Sequence, residues 1–256
     1  MSKIFITGSS EGLGLMAGEL LAEQGHEVVL HARNAQRAEA ARAGLPAAAA
    51  ILEGDVSTLE GTRALAESAN ALGRFDAVIH NVGIGYREPR RIETEDGLPH
   101  VFAINVMAPY VLTALMERPS RLVYLSSGMH HHAGADLDDV LWRRRNWNGS
   151  QAYAESKLLD VLLAFAVARL WPDTCSNALE PGWVPTRMGG AGAPDDMDEA
   201  HRTQAWLAAS EEAAGMTGGY FYHMRRKKPD PQATDVGLQN GLLAICARRS
   251  GVELSA

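Results

Sequence analysis

The chain has 256 residues, of which 46% are hydrophobic and 21% charged, so it can bury one sizeable core without the composition of a membrane protein. A formal net charge of −7 and a pI near 5.7 argue against a surface that follows nucleic-acid phosphates. The two cysteines, Cys175 and Cys246, fit neither a disulfide framework nor a metal-ligand pattern. The first residues enter a strand-like pattern with no secretory signal, so we expect a soluble cytoplasmic protein.

Short apolar runs alternate with helical patterns through the first half of the chain. The apolar runs are continuous, which is typical of strands covered on both faces. Strand candidates lie at 4–6, 28–30, 77–79 and 122–125, and helix candidates at about 12–24, 35–43, 59–72 and 97–116. This alternation predicts a single α/β domain over 1–256, with a doubly wound parallel sheet and helices on both faces.

The second half continues the pattern less regularly. A long helix is predicted around 153–171 and a closing helix at about 232–249, with strands near 175–180 and 220–222 between them. The stretch around 186–210 is predicted as a substrate flap, although an irregular surface excursion fits the same composition. Two basic runs, Arg143–Arg145 and Arg225–Lys228, are interpreted as solvated loop positions.

The first strand runs into Thr7-Gly8-Ser9-Ser10-Glu11-Gly12-Leu13-Gly14. Glycines in such a turn let the backbone approach a pyrophosphate, and the following helix directs its free N–H groups at that anion. The motif follows a strand and opens a helix, which is the context that a dinucleotide site requires. The candidate cofactor-binding residues here are Gly8, Ser9, Ser10, Gly12, Leu13 and Gly14.

The residues after the second strand bear on the choice between NAD and NADP. An acidic residue there would hold the free 2′-hydroxyl of NAD, whereas this chain has Arg33, which can pair with the 2′-phosphate of NADP. NADP(H) is therefore favoured and NAD(H) stays open, since Arg33 could also be an ordinary exposed arginine. After the third strand, Asp55 and Val56 could flank the adenine, and Asp55 could instead cap a turn.

Tyr153 and Lys157 stand four residues apart, which places a phenol and an ammonium on one helical face. A nearby cation stabilises the phenolate and moves the phenol pKa from about 10 toward working pH. Such a tyrosine can protonate an alkoxide as a carbonyl accepts hydride, or take the proton in the reverse direction. Lys157 could also bind ribose hydroxyls.

Polar residues elsewhere in the chain support the catalytic interpretation of Tyr153 and Lys157. Ser127 follows a strand, where its hydroxyl could bind the substrate oxygen. Asn105 lies in an otherwise apolar helix and needs partners if buried; it either satisfies backbone groups alone or also holds a water for proton relay. The turn at 181–186 could face a nicotinamide amide.

Together these residues resemble the short-chain dehydrogenase/reductase family, over roughly residues 3–250. The resemblance implies a Rossmann-type sheet of about seven strands and a catalytic tetrad of Asn105, Ser127, Tyr153 and Lys157. It also implies that Asn81, Val82 and Gly83 line the adenosine side, although Val82 is bulkier than the family's usual alanine. The nicotinamide side would be formed by Pro181, Gly182, Val184 and Thr186.

The segment of 26 positions from Ser127 to Tyr153 resembles, in length and in sequence, the same segment of retinol-dehydrogenase-like and WW-domain-oxidoreductase-like members. The resemblance implies an NADP(H)-dependent oxidoreductase, and we expect a ketone or aldehyde reductase (ketoreductase) for an apolar substrate, an expectation that Trp142, Trp147 and Trp183 support. The alternative is a non-catalytic NADP(H)-sensing or scaffolding protein with the same fold. We expect no metal, nucleic-acid or membrane partner. The apolar helix after Tyr153 leaves open a homodimer or homotetramer.

Overall fold

The computed structural model describes residues 1–255, in which eight strands form one sheet. Its strands are β1 (Lys3–Ile6), β2 (Glu27–Ala32), β3 (Ala50–Glu53), β4 (Ala77–His80), β5 (Arg121–Leu125), β6 (Cys175–Leu179), β7 (Tyr220–Tyr222) and β8 (Arg225–Lys227). The spatial order is β3-β2-β1-β4-β5-β6-β7-β8. Strands β1 to β7 pair in parallel and β8 is antiparallel to β7, which confirms the doubly wound Rossmann-type sheet.

Helices cover both faces of the sheet. They are α1 (Gly12–Glu23), α2 (Ala35–Gly44), α3 (Leu59–Ala71), α4 (His100–Phe102), α5 (Ala108–Leu115), α6 (Gly149–Leu170), α7 (Met197–Ala200), α8 (Arg202–Ala209) and α9 (Val236–Ser250). A π-helical turn, Ala103–Met107, joins α4 to α5, and 3₁₀ turns lie at Gly128–His132, Leu137–Asp139 and Pro231–Thr234. The helix predicted over 97–116 is therefore a composite, with the π turn at the position of Asn105.

Strand side chains alternate between two cores, as the pleat requires. Phe5, Val29 and Val78 pack on the face covered by α3, α5, α6 and α9. Ile4 and Val28 point the other way, into the core that α1 and α8 cover. Continuous apolar strands are needed because neither face of the sheet is exposed.

Helix α6 is buried around its whole circumference over residues 152–167. It packs against β5 and β6 on one side and against α9 and the turns at 128–132 and 231–234 on the other. The broad apolarity that suggested a subunit interface is thus covered by the same chain. A homodimer or homotetramer stays a prediction.

The two basic runs differ in their local structure. Arg143–Arg145 lies in a loop, as interpreted, and Arg143 and Arg144 are exposed. Arg225–Lys227 is the exposed edge strand β8, where consecutive charges discourage edge-to-edge pairing. Arg145 is held in place by two contacts. Its guanidinium donates to both Glu155 carboxylate oxygens at 2.7 Å and lies 3.8 Å from the ring centroid of Trp142. The loop interpretation is therefore wrong only for Arg225–Lys227, which is exposed but forms a strand, because edge pairing is not a local signal.

The structure also bears on the two cysteines and on the search for membrane spans. Cys175 and Cys246 are free thiols, as predicted. Across residues 1–255, no helix is long and apolar enough to span a bilayer.

A polar chain lies buried beneath the carboxyl end of β4. The His80 Nε2 atom lies 3.1 Å from the Thr113 hydroxyl, which lies 2.8 Å from the Tyr124 hydroxyl. His80 is 2% exposed, and its Nδ1 atom has no hydrogen-bond partner within residues 1–255. Burial lowers the pKa of His80 from 6.5 to about 3, so the folded protein holds this ring neutral.

We expect the free energy of unfolding to fall as the pH is lowered from about 7.5 to about 5. Unfolded His80 takes up a proton near its ordinary pKa of 6.5, whereas folded His80 does not until about 3. A depressed folded-state pKa means that stability is present above the unfolded pKa and is lost below it, by about 2 kcal/mol at pH 5. Urea unfolding at several pH values would measure the slope, which His80→Gln should flatten. Identical slopes in both proteins would contradict this explanation.

Candidate functional site

The glycine loop after β1 is closely packed at Gly8 and Gly14, where there is no room for a side chain. A Cβ on Gly14 would lie 2.4 Å from the Asn81 side-chain nitrogen and 2.8 Å from the Gly8 carbonyl oxygen. A Cβ on Gly8 would lie 2.7 Å from the Cα of Val82, and Gly8 has a φ of +62°. The first N–H groups of α1 have no intrahelical acceptor and open onto this loop. The arrangement fits a pyrophosphate, which needs a close backbone and several N–H donors.

Side chains from neighbouring strands hold this loop in place. Asn81 donates from Nδ2 to the carbonyls of Thr7 and Gly8, each at 2.9 Å. The Nδ1 atom of His31 accepts from the Gly8 N–H at 2.9 Å, and its Nε2 donates to the Gly54 carbonyl at 2.8 Å. Sequence reasoning missed this role of His31, for which the signal was a histidine inside an apolar strand.

Ser9 also faces inward. Its hydroxyl donates to the Ile6 carbonyl at 2.7 Å and accepts from the His31 N–H at 2.8 Å. The side chain is fully buried, so it fixes the turn, and only backbone is left toward a ligand. Ser10 and Leu13 are half-buried on the same loop.

The adenosine end of the site carries charged groups. Arg33 is exposed just after β2. Partial burial acts to raise the pKa of the Asp55 carboxyl, but hydrogen bonds from Ser57 and the charge of Arg33 outweigh it and keep that pKa below its usual value. Asp55 accepts from the Ser57 N–H at 2.9 Å, so it does cap a turn. Val56 is buried in the core beside α3.

Glu11, in the glycine loop, has cationic partners. Its carboxylate lies 2.5 Å from a guanidinium nitrogen of Arg37 and 4.0 Å from one of Arg187. These contacts compensate the negative charge that Glu11 would otherwise present to a phosphate.

Tyr153 and Lys157 lie on one face of α6, as their spacing predicted. The Lys157 ammonium is 5.8 Å from the Tyr153 ring centroid, and Tyr153 is 7% exposed. Burial raises the pKa of the Tyr153 phenol, while Lys157 and a hydrogen bond with Ser127 act in the opposite direction. Tyr86, from the loop after β4, packs edge-on against the Tyr153 ring at 5.8 Å between centroids.

Lys157 has two fixed acceptors. Its ammonium donates to the Leu125 carbonyl and to Asp160, both at 2.8 Å. Sequence reasoning did not single out Asp160, although an acidic residue inside an apolar helix was a visible signal.

Ser127 follows β5 and caps the 3₁₀ turn at 128–132, where its hydroxyl accepts from the Met129 N–H at 3.3 Å. Within that turn, His130 donates from Nδ1 to the Ser127 carbonyl at 2.8 Å and accepts at Nε2 from the Asp230 N–H at 3.1 Å. These contacts give His130 a structural role. Within residues 1–255, no group of three or more His, Cys, Asp or Glu residues is arranged to hold a metal.

Asn105 is buried and bonded entirely to protein. Its Oδ1 accepts from the Ile84 N–H at 2.9 Å, and its Nδ2 donates to the Ile84 carbonyl at 3.1 Å and to the Ser156 hydroxyl at 2.9 Å. Asn105 therefore joins the π turn to the loop after β4 and to α6. Its role in a water relay stays a prediction.

The turn after β6 completes the edge. Gly182 has a φ of +90°, and the Trp183 N–H donates to the Asp195 carboxylate at 2.6 Å. The Thr186 hydroxyl accepts from the Gly189 N–H at 3.1 Å, Val184 is buried, and Pro181 is half-buried.

The loop after β4 brings the two halves of the site together. A Cβ on Gly83 would lie 3.5 Å from both the Lys157 ammonium nitrogen and the Asn105 Oδ1. Two residues earlier, Asn81 contacts the glycine loop. The cradle formed by the glycine loop and the phenol–ammonium pair therefore share one edge of the sheet.

The tryptophans differ in their surroundings. Trp142 and Trp147 pack against each other at 5.3 Å, and the Trp147 indole donates to the Glu88 carbonyl. Trp206 packs on Phe221. Only Trp183, at 55% exposure, presents a large apolar surface among these residues.

Comparison with known proteins gives a consistent result. A family model described as short chain dehydrogenase matches residues 2–128. An uncharacterized oxidoreductase of Emericella nidulans is 45% identical, covering 98% of each chain. The short-chain dehydrogenase chyC of Penicillium rubens is 39% identical over the full length of both, and human retinol dehydrogenase 13 is 29% identical over 98% of this chain and 85% of its own.

Solved structures match the fold. An uncharacterized protein from Mycobacterium paratuberculosis superposes with a TM-score of 0.84 at 24% identity, covering 100% of this chain and 96% of its own. A blue fluorescent protein from a metagenomic library, in complex with NADPH, has a TM-score of 0.70 at 22% identity and covers 86% of this chain and 95% of its own.

Gly14→Ala is expected to disrupt the glycine loop. The new Cβ would displace Asn81, whose two hydrogen bonds to the loop would be lost, at a cost of about 2 kcal/mol of stability. Affinity for a nicotinamide dinucleotide should fall about tenfold or more, because the backbone donors would no longer converge. Thermal unfolding and fluorescence titration with NADH and with NADPH would measure both effects. Gly134→Ala is the control, since nothing lies within 4 Å of its Cβ position; equal effects in the two variants would contradict the cradle.

Proposed function

This chain belongs to the short-chain dehydrogenase family, in its retinol-dehydrogenase-like branch, and from that premise we propose that it reduces an apolar ketone or aldehyde with NADP(H). The observation that carries the proposal is the meeting of Tyr153, Lys157 and Ser127 beside the glycine cradle at one sheet edge. Oxidoreductase chemistry on CH–OH or C=O groups is common to the family. The direction, the cofactor phosphate and the substrate class are our proposals.

Tyr153 is the proton donor in this proposal. A nicotinamide cofactor held by the glycine loop would supply a hydride to the carbonyl carbon, so that negative charge develops on the carbonyl oxygen. The Tyr153 hydroxyl gives its proton to that oxygen, so the products are an alcohol and a phenolate next to Lys157. The Ser127 hydroxyl donates a hydrogen bond to the same oxygen and orients it.

The remaining tetrad residues act on Tyr153 and on the cofactor. The ammonium of Lys157 stabilises the phenolate that Tyr153 becomes, and it has reach to ribose hydroxyls past Gly83. Asn105 keeps the loop after β4 against α6, which fixes the distance between the cradle and the phenol.

The choice of NADP(H) rests on Arg33. Its exposed guanidinium follows β2, where the ribose 2′-substituent lies in folds of this class. A guanidinium matches a phosphate through paired hydrogen bonds, and the partners of Glu11 reduce the opposing charge nearby. NAD(H) would lack the group that Arg33 binds.

The substrate would enter between the loop after β4 and the segment 183–196. In that segment Met188 approaches Gly85, and the exposed Trp183 ring gives an apolar rim. We propose that, of the stretch 186–210 predicted as a substrate flap, this part moves, since α8 packs its buried face against α1, β4 and β5. We propose a flat or bulky apolar carbonyl compound as the substrate.

Tyr153→Phe should abolish most carbonyl reduction. Loss of a general acid typically lowers the rate by about a hundredfold to ten-thousandfold. The measurement is NADPH oxidation with a panel of apolar ketones and aldehydes. Tyr110→Phe is the matched control, because that hydroxyl donates to the Val252 carbonyl at 2.8 Å, away from the site. An undiminished rate in Tyr153→Phe would refute the acid assignment, and tight NADPH binding without turnover in the wild type would favour a non-catalytic protein.

Arg33→Ala should weaken NADPH use without weakening NADH use. The KM for NADPH is expected to rise about tenfold, since one charge-assisted contact with the 2′-phosphate is lost. Steady-state kinetics with both cofactors would measure the ratio. Arg42→Ala removes a cation of α2 that donates to the Ala48 carbonyl and should leave the ratio unchanged. If Arg33→Ala also left it unchanged, Arg33 would not select the cofactor.

A further inference from the structure

Lys157 is paired with a carboxylate that lies fully inside the protein. The ammonium and the Asp160 Oδ2 are 2.8 Å apart, and their side chains are 4% and 3% exposed. Asp160 follows Lys157 by three residues on α6, so both extend from one turn toward β5. A buried carboxylate is costly unless it is paired, which makes its position next to Lys157 a feature to be explained.

Other groups around the pair do not neutralise Asp160. Its Oδ1 atom has no hydrogen-bond partner within residues 1–255. From β5, the Tyr124 hydroxyl is near enough to feel its charge but is bonded to Thr113, and from β4 the neutral His80 ring packs on Tyr124. Lys157 is thus the only cation paired with Asp160 in the described chain.

The charges facing Tyr153 come from several elements. Lys157 and Asp160 lie on its own helix, Tyr86 comes from the loop after β4, and Tyr220 comes from β7. Lys157 favours the phenolate, whereas Asp160 disfavours it. Because Tyr153, Lys157 and Asp160 are buried, neither effect is strongly screened by solvent.

We propose that Asp160 is a positioning residue for Lys157, holding its ammonium between the Leu125 carbonyl and the carboxylate and offsetting part of its charge at Tyr153. Two donors of Lys157 are committed to these acceptors, which leaves the third for the side of Gly83. The inference rests on the proposed function, since it concerns the proton that Tyr153 delivers.

The consequence is a phenol that keeps its proton to a higher pH. The pKa of Tyr153 is raised, with burial as the largest cause and Asp160 acting in the same direction. An unopposed ammonium would lower that pKa and, at a given pH, leave more phenolate, the form needed for alcohol oxidation. With Asp160 ionised, the protonated form needed for carbonyl reduction is retained. Burial raises the pKa of Asp160 to about 6, with Lys157 acting in the opposite direction, so Asp160 is ionised above that pH.

The test is Asp160→Asn, which keeps an oxygen that can accept from Lys157 and removes the charge. The Tyr153 titration should move down by about one pH unit. In the apo-protein this is measured as ultraviolet phenolate absorbance, taking the difference between each protein and its Tyr153→Phe counterpart. In the assay, the alkaline limb of carbonyl reduction should move down by the same amount.

Glu155→Gln is the control. It is the same chemical change on the same helix, but Glu155 is paired with Arg145. It should leave the Tyr153 titration in place. If Asp160→Asn fails to fold, Asp160→Ser removes the charge with a smaller side chain, and the same downward shift is expected.

A folded Asp160 variant whose Tyr153 titration stays in place or moves up overturns the inference. A shift equal to that of Glu155→Gln overturns it as well, because the effect would then be general to α6. If the wild type reduces no carbonyl compound, the proposed function fails, while the phenolate titration of the apo-protein still decides the role of Asp160.

Discussion

The site depends on the close approach of the loop after β4 to two neighbours. On one side, Val82 contacts Gly8 and Asn81 bonds the glycine loop. On the other, Gly83 lies against Lys157 and Asn105. Because β4 is adjacent to both β1 and β5 in the sheet, its carboxyl end is the place where a cradle and a catalytic helix can meet. A Cβ at Gly14 would collide with Asn81 and the Gly8 carbonyl, whereas a Cβ at Gly83 would only touch Lys157 and Asn105.

Burial gives the polar residues of this edge their properties. His31, His80, Asn105 and Lys157 are nearly inaccessible to water, and each is bonded to a specific group. In such surroundings a histidine stays neutral and an ammonium needs an anion. The same bonds that fix the loops therefore also set the charges, which is why replacement of one residue is expected to change both stability and titration behaviour.

Much of the fold and part of the site could be predicted because their signals are local. The apolar strands, the glycine loop and the Tyr153/Lys157 spacing are each readable within a few residues. His31, Asp160 and the π turn at Asn105 were missed because their meaning comes from partners in space. Edge strand β8 and helix α8 were missed for a related reason, since tertiary packing overrides weak local preference.

The long segment between Ser127 and Tyr153, which is typical of the retinol-dehydrogenase-like branch, has a structural role in this chain. Its residues form the turn that packs on α6, the Trp142–Trp147 pair and the Arg145–Glu155 ion pair. With α9, these elements cover the outer face of α6, whose apolar side chains would otherwise contact water. Because α6 carries Tyr153, Lys157 and Asp160, excluding water from its outer face also keeps the charges on its inner face in a dry environment.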